Sequence, residues 1–459
     1  MKKITLYNSL SHKKEAFLPV DTGLVAMYSC GPTVYDAVHV GNLRSFVMAD
    51  TVARVMRYVA GYEVRWVMNI TDVDDKMIAR ANQQYPNDQP AVALRKLGDK
   101  YEAKFLQDLE DVGVELDDIS AFPHATDYIN KMQKLIAELY QKNIAYVANG
   151  SIYFSLEAYA EQGGEYGRLA HIAETTKARI DDQDQKQGVG DFVLWKAHRP
   201  DEPKWDFELN GENYPGRPGW HIECSAMSTD LLGAEFDIHT GGVDLKFPHH
   251  ENEIAQCGGR LARYWIHNEH LTVESAKMAK SVGNFVKLDD IADPLALRYM
   301  FLSAHYRSPM DYSNGGLISA EVRLNRLREW ASKVINNPQL GKNSKVSQLI
   351  ANFDRALVDD INTPKALAIL ASIESTAWRG EDVYKFILHA DQVFGLHLLE
   401  KMERVSARPD VQELLDEREL ARSKSDYARS DVLRSQLSEL GVGVEDTASG
   451  QIVWQIFSK

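Results

Sequence analysis

The sequence predicts an α/β fold built on a parallel sheet, interrupted by an inserted subdomain and followed by a helical bundle and a small C-terminal α+β domain. Three observations carry this reading. Leu24 to Tyr28 and Val64 to Ile70 are apolar runs that read as buried strands, and Leu43, Phe46, Val47, Val55 and Val59 recur between them at helical spacing. Strand, loop, helix, strand is the order of a parallel βαβ crossover. The α/β signal loosens between about 116 and 190 and resumes at Phe192-Val193-Leu194-Trp195. From about 316 the chain turns helical and ends in a short strand pair. The boundaries this suggests are 1–115, 116–190, 191–255, 256–316, 317–405 and 406–459.

Each element has a local reason. After the second strand, Asp72, Asp74 and Asp75 could hold a divalent ion, but a strand end followed by a helix cap suits Asp better. Thr126 is placed to cap a helix toward Gln141, with Ile129, Met132, Ile136 and Leu139 on one side. Ile144–Val147 and Ile152–Phe154 flank Gly150 as short strands. Ile318, Val322, Leu327, Trp330 and Val334 form an apolar stripe expected to face a core, and Asn362-Thr363-Pro364 reads as a helix cap with proline at the first turn. Val411 to Leu440 reads as one or two helices carrying Arg418, Arg422, Lys424, Arg429 and Arg434, either a nucleic-acid face or a solvated one.

Composition narrows the function classes. Of 459 residues, 44% are hydrophobic, enough for a sizeable core. No stretch approaches the roughly 18 apolar residues of a membrane span, and the polar start Met1-Lys2-Lys3 does not read as a secretory signal, so a cytoplasmic location is expected. A net charge of −14 argues against coating nucleic acid by bulk charge, though a local basic face stays open. Three cysteines do not make a disulfide framework.

Three stretches carry candidate chemistry. Cys30 to Ser45 leaves the first strand at its carboxyl end, where open α/β sheets bind ligands. There His39-Val40-Gly41-Asn42 opens a helix whose N-terminus suits phosphate. Cys224 and His249-His250-Glu251-Asn252-Glu253 form the second. His249 and Glu253 share a helix face, and with Cys30 and Cys224 they make a sulfur, sulfur, nitrogen, oxygen set that fits tetrahedral zinc. His250 is a rival ligand, Cys257 could face the same way, and separate structural roles remain the alternative. Lys277-Met278-Ala279-Lys280-Ser281 with Gly283 is the third: two ammonium groups near a glycine can clamp a polyphosphate, or can be a solvated turn. The Walker glycine-lysine pattern is absent.

HVGN and KMAKS resemble the two signature motifs of class I aminoacyl-tRNA synthetases, usually HIGH and KMSKS. The longer words MYSCGPTVYD, NITDVDDKMI, RPGWHIECSAM, FDIHTGGVDLKFPHHENEIAQ and KMAKSVGNF resemble the cysteinyl-tRNA synthetase family. SKSDYARSDVLRSQLSELGVGVED resembles the end of that family's tRNA-binding region. The resemblance implies a Rossmann-like catalytic domain split by a connective insertion, then a stem-contact region with the lysine loop, a helical bundle and an anticodon-binding domain. It implies that Cys30, Cys224, His249 and Glu253 hold one zinc per chain. His39, Asn42, Lys277, Lys280, Ser281 and Asp244 would meet ATP, carried with Mg2+, while Thr71 and Trp220 would meet the substrate, L-cysteine. The implied activity is cysteine–tRNA ligase acting on tRNA(Cys), as a monomer. Ala279 stands where the family usually has serine, so slower loop closure or weaker ATP contact is expected rather than loss of activity.

Two other readings compete. A related ligase joins cysteine to an amino sugar in mycothiol synthesis but lacks the C-terminal tRNA-binding part, so the segment from about 320 to 459 favours tRNA. A non-catalytic, zinc-containing RNA-binding protein would not need the intact lysines and HVGN turn.

Overall fold

A strand that is apolar on both faces needs neighbours on both edges, and this places the first apolar run at the centre of the sheet. The computed structural model describes residues 1–170, 188, 190–277, 285–336, 344–376, 380–398, 409–424, 426–440, 442–447 and 450–455. Strands β1 (Leu24–Ser29) and β2 (Glu63–Met68) pair in parallel, from Leu24 opposite Glu63 to Ser29 opposite Met68. Helix α1 (Val40–Arg54) makes the crossover and buries Val40, Leu43, Phe46 and Val47. Strand β3 (Ile119–Ala121) extends the sheet beyond β2. On the other edge of β1 lies β4 (Phe236–Gly242), followed by β5 (Ala262–Asn268). The order is β5-β4-β1-β2-β3, all parallel. Chain connections leave β1 and β4 toward opposite edges, so the crevice at their carboxyl ends is the topological switch point.

Between β3 and β4 the chain builds a four-stranded antiparallel sheet from Ala145–Ala148, Ser151–Phe154, Phe192–Ala197 and Gly216–Pro218. This sharing of strands differs from the expected boundaries. Ile119–Ala121 keeps the main sheet going past 116, and Phe192–Ala197 pairs with the insertion rather than resuming the main sheet at 191. A short apolar run looks alike in either partnership, so its pairing is decided by neighbours and not by composition. Thr126 does not cap the helix Ile129–Gln141: its N–H and hydroxyl both donate to Asp72, at 2.9 and 2.5 Å. Asp74 accepts from the N–H groups of Lys76 and Met77 and caps the helix Asp75–Gln84, while Asp75 pairs with Lys196 and Arg217. The three acids are engaged by separate partners and do not converge on an ion.

Helices α2 (Trp220–Leu232) and α3 (Glu251–Gln256) flank β4, and α4 (Pro294–Leu302) leads into the helical part. Helix α5 (Asn314–Asn336) buries Ala320, Leu324, Leu327, Ala331 and Val334. Leu327, Trp330 and Val334 thus lie inside as expected, but Ile318 and Val322 are 58% and 49% exposed. The buried face follows the 3–4 spacing through Ala320 and Leu324, which puts Ile318 and Val322 around the helix from it. Asn362 accepts from Lys365 N–H and caps Thr363–Glu374. After α6 (Glu381–Phe394), helices α7 (Pro409–Ser423) and α8 (Tyr427–Glu439) pack with the hairpin Val442–Thr447/Gly450–Gln455 around Val411, Leu415, Leu437 and Val444. Among the described residues no helix is long and apolar enough to cross a membrane.

One buried carboxylate ties the sheet to the helical part. Asp50 of α1 accepts from Arg54 Nε at 2.9 Å and from Arg298 Nη2 of α4. Arg298 also donates to Val112 O and Phe394 O, and Arg54 to Gly113 O and Gln392 O. Gly113, at φ +77°, must be glycine here, because a Cβ would sit 2.5 Å from Gly395 O. Asp50 and Arg298 are fully buried, so each charge depends on the other. Asp50→Ala leaves two buried guanidinium groups without their carboxylate and is expected to cost about 3–5 kcal/mol in denaturant unfolding. A loss under about 1 kcal/mol would show that the cluster is solvated and not a lock.

Candidate active site and metal centre

The parallel register aligns Tyr28 with His239 and His239 with Trp265, so the residues just beyond Ser29 and Thr240 face each other across the switch point. Cys30 follows β1, Cys224 lies one turn into α2, and His249 and Glu253 lie one turn apart entering α3. Their ligating atoms all fall within 4.8 Å of one another. Cys30 Sγ is 3.6 Å from Cys224 Sγ and 3.7 Å from Glu253 Oε1, and His249 Nε2 is 3.2 Å from Glu253 Oε1. Cys224, His249 and Glu253 are buried.

A second set, Cys30, His239, His250 and Glu253, meets the same distance limit. One of its two histidines has other work. His239 Nε2 lies 2.9 Å from Glu253 Oε2, holding the oxygen that faces away from the thiols. His250 is anchored through Nδ1, 2.8 Å from His267 Nε2, whose Nδ1 is 2.8 Å from Ser9 Oγ, and its Nε2 is 3.5 Å from Cys30 Sγ. His249 is anchored in the same way: its Nδ1 meets His221 Nδ1 at 2.8 Å, and its buried Nε2 has no hydrogen-bond partner among the described residues. An imidazole anchored through one nitrogen, with the other bare beside two sulfurs and a carboxylate oxygen, has the form of a metal ligand. Burial, then Cys224 and Glu253, pushes the Cys30 thiol well up, as expected for sulfur and carboxylate gathered in a dry place without a cation. The first set offers two thiols against one, and His239 of the second is held by Glu253 Oε2, so the first fits a soft divalent cation better, with His250 as the rival imidazole. Cys257 belongs to neither, and burial pushes its thiol up to about 12.

The surrounding histidines are held neutral. His221 is pushed down to about 3 by burial and then by Lys196. His249, His250 and His267 are lowered well below the usual range by burial first. Trp220, 38% exposed, stacks on His249 at 4.0 Å and walls the centre. Trp220, His249 and His250 were singled out from sequence, whereas His221 and His267 were given no role there.

Thr71 lies beside this centre. Gly31 N–H donates to Asn69 Oδ1 at 3.0 Å, Asn69 Nδ2 to Thr71 Oγ1 at 3.1 Å, and Thr71 Oγ1 to Glu223 Oε2 at 3.1 Å. Cys224 Sγ is 3.7 Å from Asn69 Oδ1, so this chain of bonds touches the thiol cluster.

The remaining candidates are distributed as follows. His39 and Asn42 cap each other's backbone at the start of α1: Asn42 N–H donates to His39 Nδ1 at 3.2 Å, and His39 N–H to Asn42 Oδ1 at 3.3 Å. Phe285 meets the His39 ring edge-on at 4.9 Å. Asp244 is exposed in the turn after β4. Lys277 ends a short strand paired with Thr272, and Lys280 and Ser281 lie outside the described residues, as does Ala279. In the C-terminal unit Lys424, Arg429 and Arg434 are exposed, and Arg422 lies half-buried 5.8 Å from the Tyr427 ring. Arg429 pairs with Glu417 at 2.8 Å. Arg418 departs from the expected basic face: it is 1% exposed. It lies seven residues after Val411 and three after Leu415, on the stripe that faces the small core.

Residues 16–322 match the model of the class I (C) tRNA synthetase catalytic domain, and residues 406–453 that of the cysteinyl-tRNA ligase anticodon binding domain. The chain is 39% identical to the cysteine–tRNA ligase of Bacillus pumilus, covering 97% of this chain and 98% of that one. It is 38% identical to that of an Exiguobacterium species over the same shares, and 35% to that of Brachyspira hyodysenteriae over 99% and 100%. The Mycobacterium tuberculosis methionyl-tRNA synthetase shares the fold, with TM-score 0.54 and 16% identity over 82% of this chain and 88% of that one. The chain belongs to the cysteine–tRNA ligase family of class I tRNA synthetases.

Proposed function

We propose that this chain activates L-cysteine with Mg2+-bound ATP to cysteinyl adenylate and passes the cysteinyl group to the 3′ end of tRNA(Cys), and that zinc selects the substrate by its sulfur. The observation that carries the selection is the donor set of Cys30, Cys224, His249 and Glu253 at the switch point. Zinc, when bound, supplies a soft Lewis acid that favours a thiolate over a hydroxyl. Cysteine and serine differ by one atom, and shape alone separates such pairs by only about a hundredfold.

The chain's own residues do the positioning. Thr71 takes the amino acid beside the thiol cluster, and Trp220 closes the wall over His249. His39 and Asn42, at the positive end of α1, are the residues for the ATP phosphates, with Asp244 toward the adenosine. Lys277 and Lys280 are the cations that stabilise the negative charge developing on the leaving pyrophosphate, with Ser281 as a neutral hydrogen-bonding neighbour. Catalysis on this reading is orientation and charge stabilisation, with no side-chain nucleophile. Transfer to an amino sugar instead of tRNA is disfavoured by residues 406–453, which match the anticodon-binding model. Lys424, Arg429 and Arg434 are the exposed cations offered there to tRNA, joined by half-buried Arg422.

Three measurements test this. Cys224→Ser is expected to abolish zinc binding and cysteine-dependent pyrophosphate exchange together, and zinc-edge absorption should gain sulfur scattering at about 2.3 Å with cysteine but not with serine. An active preparation free of zinc, or a zinc shell unchanged at saturating cysteine, contradicts the assignment. A chain ending near Met402 is expected to keep exchange activity and lose most tRNA charging, read by a charging assay over a salt series. Undiminished charging by the shortened chain removes the C-terminal unit from tRNA binding.

A further inference from the structure

The bonds around Thr71 have a fixed direction. A backbone N–H can only donate, so Gly31 N–H fixes Asn69 Oδ1 as its acceptor and turns Asn69 Nδ2 toward Thr71. Gly31 can come this close only as glycine, since a Cβ would lie 1.7 Å from Asn69 O. Thr71 Oγ1 must therefore accept from Asn69 Nδ2, and with Glu223 ionised its one proton goes to Glu223 Oε2. A hydroxyl has one donor and two lone pairs, so what Thr71 has left is a single lone pair. It can accept one more hydrogen bond and donate none.

Behind it sits Glu223, fully buried on α2. Its Oε1 has no hydrogen-bond partner among the described residues. A buried carboxylate oxygen left bare is costly, and such groups mark places where a partner arrives. The next residue is Cys224, whose sulfur touches Asn69, so the two acceptors adjoin the thiol cluster. In cysteine the sulfur and the amino nitrogen are separated only by Cβ and Cα.

We propose that Glu223 is a substrate-binding residue: it orders the Thr71 hydroxyl as an acceptor, and its Oε1 and the remaining Thr71 lone pair receive the α-ammonium group of the amino acid. The inference rests on the reading that Thr71 meets cysteine. The ligand chemistry it requires is a cationic donor group close to a thiol. A carboxylic acid bearing a thiol but no ammonium group gains nothing from these two acceptors. A neutral amide at 223 still accepts from Thr71 but loses the charge that pairs with the cation.

The test uses the zinc-loaded full chain and pyrophosphate exchange, with 3-mercaptopropionate, which is cysteine without its amino group, as a competing ligand. Glu223→Gln is expected to raise the KM for cysteine about tenfold to a hundredfold, as for loss of a hydrogen bond to a charged group. The KM for ATP, the zinc content and the inhibition constant of 3-mercaptopropionate should stay within about twofold, since none of these involves the ammonium group. Equal weakening of cysteine and of 3-mercaptopropionate, or an unchanged KM for cysteine, overturns the proposal. If Glu223→Gln does not fold, the unmodified chain decides. Binding 3-mercaptopropionate about as tightly as cysteine overturns the proposal, and weakening by tenfold or more, as expected for an ammonium group held by charge, supports it. Absence of cysteine-dependent exchange in the unmodified chain is a different failure, that of the reading on which this one rests.

Discussion

The pairing of β1 with β4 is the constraint on which the site depends. Ile238, His239 and Thr240 lie opposite Met27, Tyr28 and Ser29, and the Ser29 and Thr240 hydroxyls meet at 2.6 Å. Side chains alternate along a strand, so a slip of one residue would turn His239 away from Glu253 and move Cys30 to the other face. Trp66 secures the same point from the next strand by donating to Ser29 Oγ at 2.8 Å. The metal set, the Asn69–Thr71–Glu223 chain and the HVGN helix all start within a few residues of these strand ends.

Around that point buried polar side chains hold one another. His239 holds one oxygen of Glu253, His221 holds one nitrogen of His249, and Trp265 stacks on His239 at 4.4 Å. The imidazoles of His221 and His249, kept uncharged by burial, leave lone pairs available and do not repel a cation. The same dry surroundings strengthen each hydrogen bond that orients a ligand. On the proposed reading, selection of a sulfur and selection of an ammonium group fall on two sides of one residue, Asn69.

Much of this was legible in the sequence, for identifiable reasons. The βαβ order could be read because apolar runs and a 3.6-residue period are local signals. His249 and Glu253 could be paired because they are one helical turn apart. Cys30 and Cys224, 194 residues apart, have no spacing signal; their chemical type and the surrounding motif words linked them. Glu223 and Asn69 were missed because each is a single polar residue whose partner lies on another element. Arg418 was read as part of a basic face by composition, although its spacing from Val411 and Leu415 points inward. The strand Phe192–Ala197 was misplaced because its apolar run does not say which sheet it joins.

The Asp50 cluster sets an order on synthesis as well as on structure. Arg54 follows Asp50 by four residues and can pair with it as soon as α1 forms, but Arg298 comes 248 residues later. At about 5–20 residues per second that interval is roughly 12 to 50 s of translation. Through that time α1 carries its carboxylate with half its final set of cations, and the carbonyls of Gln392 and Phe394 emerge later still. The first crossover of the sheet is therefore finished by the last third of the chain. A ribosome stalled before residue 298 would hold a nascent domain whose central helix still lacks its lock.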